Sequence, residues 1–367
     1  MINVLHTEWS DGWGGQEIRI INEMKCLSNS GVKVFLACKE ESQIKVKAKE
    51  NNIEVFTLPF SGNTDIRTVL LLVKIIRKFK IDIINTHSGK DTWVGGIAAK
   101  ICRIKFIRTR HLSNPISKSK FNFINQLADY IITTGESVKE SMINDNRIDP
   151  EKISSIPSGP DENVFNPNIY DYVLCRAKFA IEENDFAIGM LSVLRKFKRH
   201  DKFLRMARRL IDHFPNIQFK FLIAGEGPQR KNIEDLIKEY KLNNCVSLLG
   251  HINNQAEFLS SINLFILTSD SGEGVPQSLM QALMMNKLAI STDVGSVKDL
   301  HYKDNFMMID KDSEDELYES VCNIIKNNQI NESIQKLKDR RKFIVENFSE
   351  KTMTEKIINL YKYLLHK

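Results

Sequence analysis

The sequence predicts an α/β protein made of two doubly wound, mainly parallel sheets in tandem. Short runs of β-branched residues alternate with amphipathic stretches from the first residue onward, which is typical of repeated β-α-β units. The length of 367 residues suits two domains. A cluster of prolines and glycine between residues 153 and 167 interrupts the alternation, which then starts again.

The first domain is predicted over residues 1–165. The predicted strands are short runs rich in β-branched residues, and the predicted helices are the amphipathic stretches between them. The predicted strands are Ile2 to Leu5, Val32 to Cys38, Glu54 to Leu58, Asp82 to Thr86, Lys105 to Arg110 and Tyr130 to Thr134. The predicted helices are Gln16 to Asn29, Gln43 to Asn51, Asp65 to Phe79, Asp91 to Cys102 and Ser117 to Leu127.

The second domain is predicted over residues 166–345 with the same alternation. The tail from Asp312 to Lys367 has helical periodicity and no further strand. Because ligands of open parallel sheets bind beyond the carboxyl ends of the strands, we expect the functional site at these edges, in a cleft shared by the domains. The predicted strands are Phe186 to Leu191, Gln218 to Ala224, Val246 to Leu248, Leu264 to Leu267 and Leu288 to Ser291.

Charge and cysteine content exclude several functional classes. The 52 Lys and Arg against 46 Asp and Glu give a net charge of +6, which is too weakly basic for a dedicated nucleic-acid binder. The six cysteines form no C-x-x-C pair, so neither a zinc ribbon nor a dithiol redox site is predicted, and we interpret them as reduced core thiols. Met1 is not followed by a secretory-signal pattern, and the longest apolar run, Val69 to Val73, is far too short to span a membrane. We therefore expect a cytoplasmic protein.

Two glycines, Gly14 and Gly15, follow the first predicted strand and precede a helix that opens with Gln16. Glycines at a helix N-terminus let the backbone approach a phosphate, which the unpaired amides and the helix dipole attract. The segment is not the G-x-G-x-x-G fingerprint of dinucleotide-binding proteins. A turn that needs glycine only for its own geometry explains the pair equally well.

A second candidate ligand-binding loop follows the predicted strand Leu264 to Leu267. Pro276 suits the first turn of a helix, which puts Glu273 in the loop at its mouth and Gln281 more than one turn inside. The backbone amides of this loop would point toward a phosphate, and a carboxylate can accept two hydroxyl hydrogen bonds from a sugar. The alternative is a carboxylate that only stabilises the start of the helix.

Cations crowd positions 195 to 199, shortly after the predicted strand Phe186 to Leu191. Like charges repel unless an anion lies among them, and a diphosphate is a good candidate for that anion. A solvated basic loop is the alternative. The turn Gly225-Glu226-Gly227-Pro228 after the next strand is interpreted as architectural. The cations are Arg195, Lys196, Lys198 and Arg199.

In order and spacing, these motifs resemble the retaining glycosyltransferases of family 4, whose GT-B fold has two Rossmann-like domains facing across a cleft. The resemblance covers nearly the whole chain. With it, we expect residues 346–367 to form a helix that packs back on the N-terminal, acceptor-binding domain. The motifs are Gly14-Gly15, Thr109-Arg110-His111, Ile156-Pro157-Ser158-Gly159-Pro160-Asp161, Leu194 to His200, Ala224-Gly225-Glu226-Gly227, Glu273-Gly274-Val275-Pro276 and Thr292-Asp293-Val294-Gly295.

The resemblance implies a role for each matching residue of the C-terminal, donor-binding domain. Glu273 corresponds to the first glutamate of the family's E-x7-E motif, which holds hydroxyls of the donor sugar, and Gln281 stands where the second glutamate binds the nucleotide ribose. Lys198 matches the lysine that binds the donor diphosphate. Val193 occupies the position of the family's arginine, and Arg195 is expected to supply the missing guanidinium. The predicted donor-binding residues are Gly14, Gly15, Gly225, Gly272, Gly274, Val275, Pro276, Gln277 and Gln281.

Two histidines lie at the ends of predicted strands of the first domain. His111 resembles the family's active-site histidine, and we predict a catalytic role for it together with Arg195, Lys198 and Glu273. His87 matches another frequent histidine of the family and is predicted on the acceptor side. A structural role is equally open for His87, because a lone histidine at a strand end is often structural.

The resemblance implies transfer of a sugar from a nucleotide-diphosphate sugar to an acceptor hydroxyl, with retention at the anomeric carbon. It also implies a reaction without a metal, and no cofactor is expected. The family suggests a glycan or glycolipid acceptor in the synthesis of a bacterial envelope polysaccharide or lipopolysaccharide. Two alternatives come from other classes. A nicotinamide-dependent oxidoreductase is opposed by the missing G-x-G-x-x-G, whereas a non-catalytic sugar-nucleotide binding subunit is favoured by Val193 and Gln281.

Basic residues recur along the first domain beside the apolar stripe of Val69 to Lys80. A basic, partly apolar face suits an anionic membrane surface or a phosphorylated glycolipid, so a peripheral contact with the inner face of the cell membrane is one interpretation. Solvated helix faces explain the same charges without any partner. The cations are Lys74, Arg77, Lys78, Lys80, Lys100, Arg103, Lys105, Arg108, Arg110, Lys118 and Lys120.

Overall fold

The structure is a computed structural model, and it describes residues 1–111, 120–327 and 334–367. The chain divides into two compact units. Unit 1 comprises residues 1–158 together with 350–367, and unit 2 comprises residues 159–349. Each unit is a parallel sheet with helices on both faces, which is the doubly wound α/β architecture that the sequence predicts.

Unit 1 contains a seven-stranded parallel sheet with the strand order β3-β2-β1-β4-β5-β6-β7. The order reverses between β1 and β4, so the loops that leave these two strands diverge there to opposite faces. The strands are β1 (Asn3–Glu8), β2 (Lys33–Cys38), β3 (Glu54–Thr57), β4 (Ile83–Thr86), β5 (Lys105–Arg110), β6 (Tyr130–Thr133) and β7 (Ile153–Ser155).

The helices of unit 1 cover both faces of its sheet. Two separate apolar layers result, one under α1, α2 and the last helix of the chain, and one under α3, α4 and α5. The helices are α1 (Gly15–Asn29), α2 (Gln43–Glu50), α3 (Ile66–Phe79), α4 (Gly89–Cys102), α5 (Glu136–Asn146) and α13 (Glu350–His366), with a short 3-10 helix at Lys120–Asn125.

Unit 2 contains a six-stranded parallel sheet with the order β10-β9-β8-β11-β12-β13, which reverses between β8 and β11. Its strands are β8 (Phe186–Leu191), β9 (Phe219–Ala224), β10 (Val246–Gly250), β11 (Leu264–Leu267), β12 (Leu288–Thr292) and β13 (Met307–Ile309). Its helices are α6 (Tyr172–Lys178), α7 (His200–His213), α8 (Arg230–Glu239), α9 (Gln255–Ser261), α10 (Gln277–Met284), α11 (Glu314–Lys326) and α12 (Ile334–Phe348).

The C-terminal helix α13 belongs to unit 1 although it follows unit 2 in the chain. Its buried face contributes Met353, Ile357 and Tyr361 to the apolar layer under α1. The division between the units falls between Ser158 and Gly159, whereas the predicted boundary is at residue 165. Similarly, unit 2 extends to Ser349 rather than to residue 345.

Three local predictions are wrong. Residues 153–155, assigned to a linker because prolines follow them, form β7, which pairs in parallel with β6. The short strand β13 is not predicted. Where a helix is predicted from Ser117 to Leu127, the structure has only a 3-10 helix at Lys120–Asn125, and Ser117 to Ser119 lie outside the described residues.

Candidate functional site

Unit 2 has a buried ion pair between Lys198 and Glu273, which lie 75 residues apart in the chain. Both side chains are buried, with residue exposures of 8% and 6%. Lys198 Nζ donates to Glu273 Oε1, and Ser269 Oγ donates to the same oxygen. The two loops concerned follow β8 and β11, the strands at which the sheet order reverses.

The backbone around this ion pair is held by neighbouring loops. Thr268 Oγ1 donates to the carbonyl oxygens of Lys198 and Arg199, at 2.9 and 3.0 Å. Gly295, after β12, has a φ of 58°, and a Cβ there would lie 2.0 Å from the carbonyl oxygen of Glu273. The position of the Glu273 loop is therefore fixed by close backbone contact that only glycine permits.

Gly225 has a comparable architectural role. Its φ is 142°, and a Cβ would lie 1.9 Å from the carbonyl oxygen of Ser192, so the turn after β9 packs directly against the loop after β8. The Leu194 amide also donates to the carbonyl of Glu226 at 2.9 Å. This geometry supports the architectural interpretation of the turn and gives Gly225 a structural reason for being glycine, independent of any ligand.

Helix α10 begins at Gln277, one residue later than its proline suggests, and Pro276 is the N-cap residue. Val275 and Pro276 are buried beside Glu273, whereas Gly272 is exposed and Gly274 is half-buried. Gln281 is also half-buried, and its side chain makes no hydrogen bond with any residue that the structure describes. The start of α10 thus presents backbone amides next to a buried carboxylate.

The cations after β8 are partly neutralised by the chain itself, which corrects the inference that an external anion is needed among them. Lys198 pairs with Glu273, and Arg199 binds both carboxylate oxygens of Asp201 at 2.8–2.9 Å. Arg195 and Lys196 are exposed and have no ion pair among the described residues. These two cations, with Arg199, line a groove of about 370 Å³.

In unit 1, Gly14 and Gly15 lie at the start of α1, with Gly14 as the N-cap residue. Gly14 has an extended backbone, with φ at −159°. A Cβ at Gly15 would meet no atom within 4 Å, and one at Gly14 would meet only Glu17 Oε2, at 3.5 Å. The fold of unit 1 therefore does not require glycine at either position, which favours the ligand-binding interpretation over the purely geometric one.

Three histidines form a hydrogen-bonded chain at the carboxyl edge of the unit 1 sheet. His6 Nδ1 lies 2.9 Å from His87 Nε2, and His87 Nδ1 lies 2.9 Å from His111 Nε2. The rings of His6 and His87 are nearly parallel, at 8°, with centroids 5.2 Å apart. Burial lowers the pKa of His6 to about 3 and those of His87 and His111 well below the usual range, so all three rings are neutral at pH 7.

Beside the histidines, Glu8 joins the loop after β1 to the loop after β4. It accepts hydrogen bonds from the Ser10 amide at 2.8 Å, from Ser88 Oγ at 2.6 Å and from Gln16 Nε2 at 2.5 Å. Burial, followed by the nearby charge of Asp91, raises the pKa of Glu8 to about 7. The carboxyl group thus connects the glycine-containing loop to the start of α4.

Asp91 in the first turn of α4 holds the His87 loop. It accepts hydrogen bonds from the backbone amides of His87 and Ser88, at 2.8 and 2.9 Å, and from Thr7 Oγ1 at 2.8 Å. Burial raises the pKa of Asp91 to about 6 despite these hydrogen bonds. This cluster fixes the backbone of His87 between β4 and α4.

Sequence reasoning missed His6, Glu8, Asp91 and Ser269. His6 and Glu8 were visible as polar residues at the end of an apolar strand, and that position is itself a signal at a sheet edge. Arg108, assigned to a basic surface, is instead buried, and burial lowers its pKa to about 10. Of the other cations assigned to that surface, Lys118 lies outside the described residues.

The six cysteines are all free thiols. Cys38, Cys175 and Cys322 are buried and the other three are half-buried. Within the described ranges 1–111, 120–327 and 334–367, no group of three or more His, Cys, Asp or Glu side chains could hold a metal ion. None of the helices in those ranges is both long and apolar enough to cross a membrane.

Two parallel α/β units in tandem, each with a polar site where its strand order reverses, have the architecture of GT-B proteins. The chain belongs to the family 4, group 1 glycosyltransferases: residues 13–164 match the family described as Glycosyltransferase Family 4, and residues 174–360 match Glycosyl transferases group 1. These matches confirm the resemblance that the motifs indicate. They also show that the protein is a glycosyltransferase.

Individual relatives are similar but distant. The chain is 25% identical over 298 residues to the Escherichia coli UDP-Gal:alpha-D-GlcNAc-diphosphoundecaprenol alpha-1,3-galactosyltransferase, covering 77% of this chain and 76% of the relative. A glycosyltransferase structure from Rickettsia africae superimposes with a TM-score of 0.88 at 20% identity, covering 99% of this chain and 98% of that one. Anabaena Alr3699/HepE in complex with UDP and glucose superimposes with a TM-score of 0.81 at 18% identity, over 99% and 100% of the two chains.

Proposed function

We propose that the protein is a retaining glycosyltransferase that moves a sugar from a nucleotide-diphosphate sugar to a hydroxyl of a glycan or glycolipid. The observation that carries this proposal is the buried pair of Lys198 and Glu273 at the mouth of α10. It puts a cation suited to a phosphate beside a carboxylate suited to sugar hydroxyls.

The proposed chemistry depends on fixed positive charge near the departing diphosphate. Loss of a nucleoside diphosphate leaves an oxocarbenium-like sugar carbon, so the barrier falls when the negative charge on the leaving group is stabilised. Lys198 has three N–H donors, of which one reaches Glu273, so the others are available to a phosphate oxygen. The amides at the start of α10 would add to this stabilisation.

Arg195 is proposed to replace the arginine that is absent at Val193. It lies three positions before Lys198 and is exposed, and its side chain has no ion pair among the described residues. Its guanidinium can therefore take a bidentate position on a phosphate without breaking an existing contact. Lys196 lines the same groove, in which Asp201 and Asp270 also lie.

In the N-terminal unit, we propose that Gly14 and Gly15 let the donor approach the start of α1, and that His111 contacts the donor directly. His87 supports His111 through its hydrogen bond and contributes to the acceptor side. The absence of any steric need for glycine at Gly15 supports the first assignment. No metal is assigned to the reaction, because cationic side chains provide the charge on the leaving group.

A uridine diphosphate sugar is the donor that the comparisons favour. The Escherichia coli relative is named as using UDP-Gal, and the Anabaena neighbour is described in complex with UDP and glucose. The name of the Escherichia coli relative also gives its acceptor as a GlcNAc joined to diphosphoundecaprenol. We therefore propose a lipid-linked acceptor and a role in bacterial envelope polysaccharide or lipopolysaccharide synthesis.

A peripheral contact with an anionic membrane would suit such an acceptor. On α3 the apolar side chains of Ile66 and Leu70 are exposed, and the last turn of the helix contains Arg77 and Lys78. An apolar and basic surface of this kind binds reversibly to anionic lipid and places the protein on the cytoplasmic face of the membrane. Co-sedimentation with vesicles that contain anionic lipid, compared with neutral vesicles, tests this contact.

Release of nucleoside diphosphate and transfer to an acceptor are the tests of the proposed activity. A panel of UDP, GDP and ADP sugars is first screened for thermal stabilisation, since a ligand that binds the folded state raises its apparent stability. Donors that bind are then incubated with a hydroxyl-bearing lipid-linked sugar, and the anomeric configuration of the product is read by NMR. Retention and insensitivity to EDTA are expected, whereas inversion or a metal requirement would contradict the mechanism.

A non-catalytic sugar-nucleotide binding subunit is the second candidate. Val193 and Gln281 favour it, because neutral residues stand where the family has charged ones. Binding of a donor without any release of free nucleoside diphosphate would support this alternative.

A further inference from the structure

The chain of histidines extends beyond the two that the motifs identify. His6 on β1 is fully buried, and its Nδ1 contacts His87, which in turn contacts His111. The opposite nitrogen of its ring, Nε2, is buried and has no hydrogen-bond partner among the described residues. The series of hydrogen-bonded rings therefore ends at His6, whose Nε2 has no partner among the described residues, and at His111 on the other side.

The hydrogen bonds couple the proton positions of the three rings. A neutral imidazole carries one N–H and one lone pair, on different nitrogens. Because each contact needs one donor and one acceptor, a fully bonded chain has only two arrangements: every ring has its proton on Nδ1, or every ring has it on Nε2. The burial that keeps all three rings neutral excludes doubly protonated forms at pH 7.

The closed end at His6 selects between the two arrangements. If every proton were on Nε2, His6 would bury an N–H without an acceptor. If every proton is on Nδ1, His6 buries only an unpaired lone pair. Orphaned buried N–H groups are rarer than orphaned acceptors, which favours the Nδ1–H arrangement.

We infer that His6 is a positioning residue that, through His87, holds His111 as the Nδ1–H tautomer, so that His111 offers a hydrogen-bond donor to a ligand oxygen and is not a general base. This inference rests on the proposed function only for the identity of the ligand that His111 contacts. The tautomer itself is a property of unit 1 and is measurable without a donor.

The test is the two-bond ¹H–¹⁵N correlation spectrum of the full-length, ¹⁵N-histidine-labelled protein at pH 7 without ligand. This spectrum distinguishes Nδ1–H, Nε2–H and doubly protonated rings, and the eight histidines are assigned by single substitution. We expect the Nδ1–H pattern for His6, His87 and His111. An Nε2–H pattern at His111 overturns the inference.

Substitutions at His6 test whether this residue sets the tautomer. His6→Ala leaves a space beside His87 Nε2 that water can enter, and because water both donates and accepts, His87 and His111 should become mixtures of the two tautomers. His6→Phe keeps the end of the chain closed and apolar, so His111 should keep the Nδ1–H pattern. An unchanged His111 pattern in His6→Ala would overturn the role of His6.

Val4→Ala is the matched control, since Val4 is fully buried on the same strand and the same face of the sheet but contacts none of the three rings through a hydrogen bond. It should lower stability without changing the tautomer of His111. A change in Val4→Ala equal to that in His6→Ala would assign the effect to general loosening of unit 1 and overturn the inference. Nucleoside diphosphate release is measured separately, so failure of glycosyl transfer and failure of the tautomer inference are observed independently.

Discussion

Lys198 and Glu273 neutralise each other in a buried position, which normally makes both groups dependent on their partner. Removing one partner of a buried ion pair leaves the other charge uncompensated. Here the pair lies at the mouth of α10, where a diphosphate could replace part of the contact. Loss of either side chain should therefore destabilise unit 2, and under the proposed function a phosphate takes over part of the contact that Lys198 makes.

The residue that tests the phosphate assignment most selectively is Lys198. Lys198→Ala should lower turnover by about 100-fold or more, because it removes the preorganised positive charge that stabilises the departing diphosphate. Release of nucleoside diphosphate under saturating donor is the measurement. Lys202→Ala is the control, since Lys202 is also buried in unit 2 but hydrogen-bonds the carbonyl of Lys311 instead of a carboxylate.

The control should lose stability while retaining most of its turnover. Equal turnover losses in Lys198→Ala and Lys202→Ala would show that unfolding, and not loss of the phosphate contact, explains the effect.

A second prediction concerns Arg195 and Val193. Arg195→Ala should reduce turnover by about tenfold, the scale of one lost charge-assisted hydrogen bond. Val193 is 51% exposed, so an arginine is tolerated there, and Val193→Arg should restore turnover in the Arg195→Ala background. Steady-state rates of the single and double variants are the measurement. A double variant that turns over no faster than Arg195→Ala would contradict the proposal that Arg195 takes the role of the arginine absent at position 193.

For single residues, the sequence predicts the candidate site residues better than it predicts the partners that they contact. Lys198 stands out in a cluster of cations and Glu273 in the loop before Pro276, and the family resemblance points to His87 and His111. Their contacts were not predicted, because Lys198 and Glu273 are far apart in the chain and no local spacing encodes their pairing. His6 lies at the end of an apolar run, which is a signal at a sheet edge, but it belongs to none of the motifs that carry the family resemblance.

Substitution by alanine should have opposite effects on stability at two glycines, Gly295 and Gly15. Gly295→Ala should destabilise unit 2 by about 3 kcal/mol, because it combines a left-handed backbone with a Cβ placed 2.0 Å from the Glu273 carbonyl oxygen. Gly15→Ala should raise stability by about 0.5 kcal/mol, because a Cβ there meets open space in the first turn of a helix.

Gly15→Ala should nevertheless lower turnover, since the added methyl group stands where a ligand approaches the start of α1. Urea unfolding followed by circular dichroism and a donor-release assay on the same samples provide the comparison. Unchanged turnover in Gly15→Ala would remove the glycine pair from the site.

The network that joins the loops after β1 and β4 predicts a pH dependence of stability. The folded-state pKa of Glu8 is about 7, above its ordinary value of 4.5. Between pH 4.5 and pH 7, Glu8 is therefore protonated in the folded protein and ionised in the unfolded protein. The contribution of Glu8 to the free energy of unfolding therefore falls as pH rises from 4.5 to 7. His6 acts oppositely, because its folded pKa of about 3 lies below 6.5.

Glu8→Gln removes the contribution of Glu8, which falls as pH rises. The free energy of unfolding of unit 1 should therefore rise more steeply between pH 4.5 and 7 than in the wild type. Tryptophan fluorescence reports on unit 1 alone, because Trp9, Trp13 and Trp93 all lie in it. Urea titrations at a series of pH values give the slope. Val4→Ala, which changes no titratable group, should keep the wild-type slope, and a Glu8→Gln slope equal to it would contradict the raised pKa.

Strands were easier to predict than the elements around them. β5, β8 and β11 have the predicted bounds. β8 and β11 are continuous apolar runs with clear ends, as buried parallel strands usually are. β7 and β13 have only three residues each, too few for a periodic signal. Tertiary pairing with β6 and β12 makes them strands, and that information is not local.

For the molecule as a whole, the repeated β-α-β pattern was sufficient to predict two doubly wound units, since alternation over a long chain leaves few other architectures. The order of motifs then identified the family, which the family matches over both units confirm. The division at Ser158 was harder to predict, because β7 completes the first sheet immediately before the prolines that mark the change of unit. Acceptor and donor identity depend on shapes that no short motif encodes.

The release of free nucleoside diphosphate from UDP-sugars by the purified protein is the most direct test of the central claim that the chain breaks the bond between a sugar and its diphosphate. We expect release from at least one donor that binds, with the rate lowered about 100-fold or more in Lys198→Ala and mostly retained in Lys202→Ala. Tight binding of donors with no release from any of them, in the presence or absence of a lipid-linked acceptor, would contradict the claim.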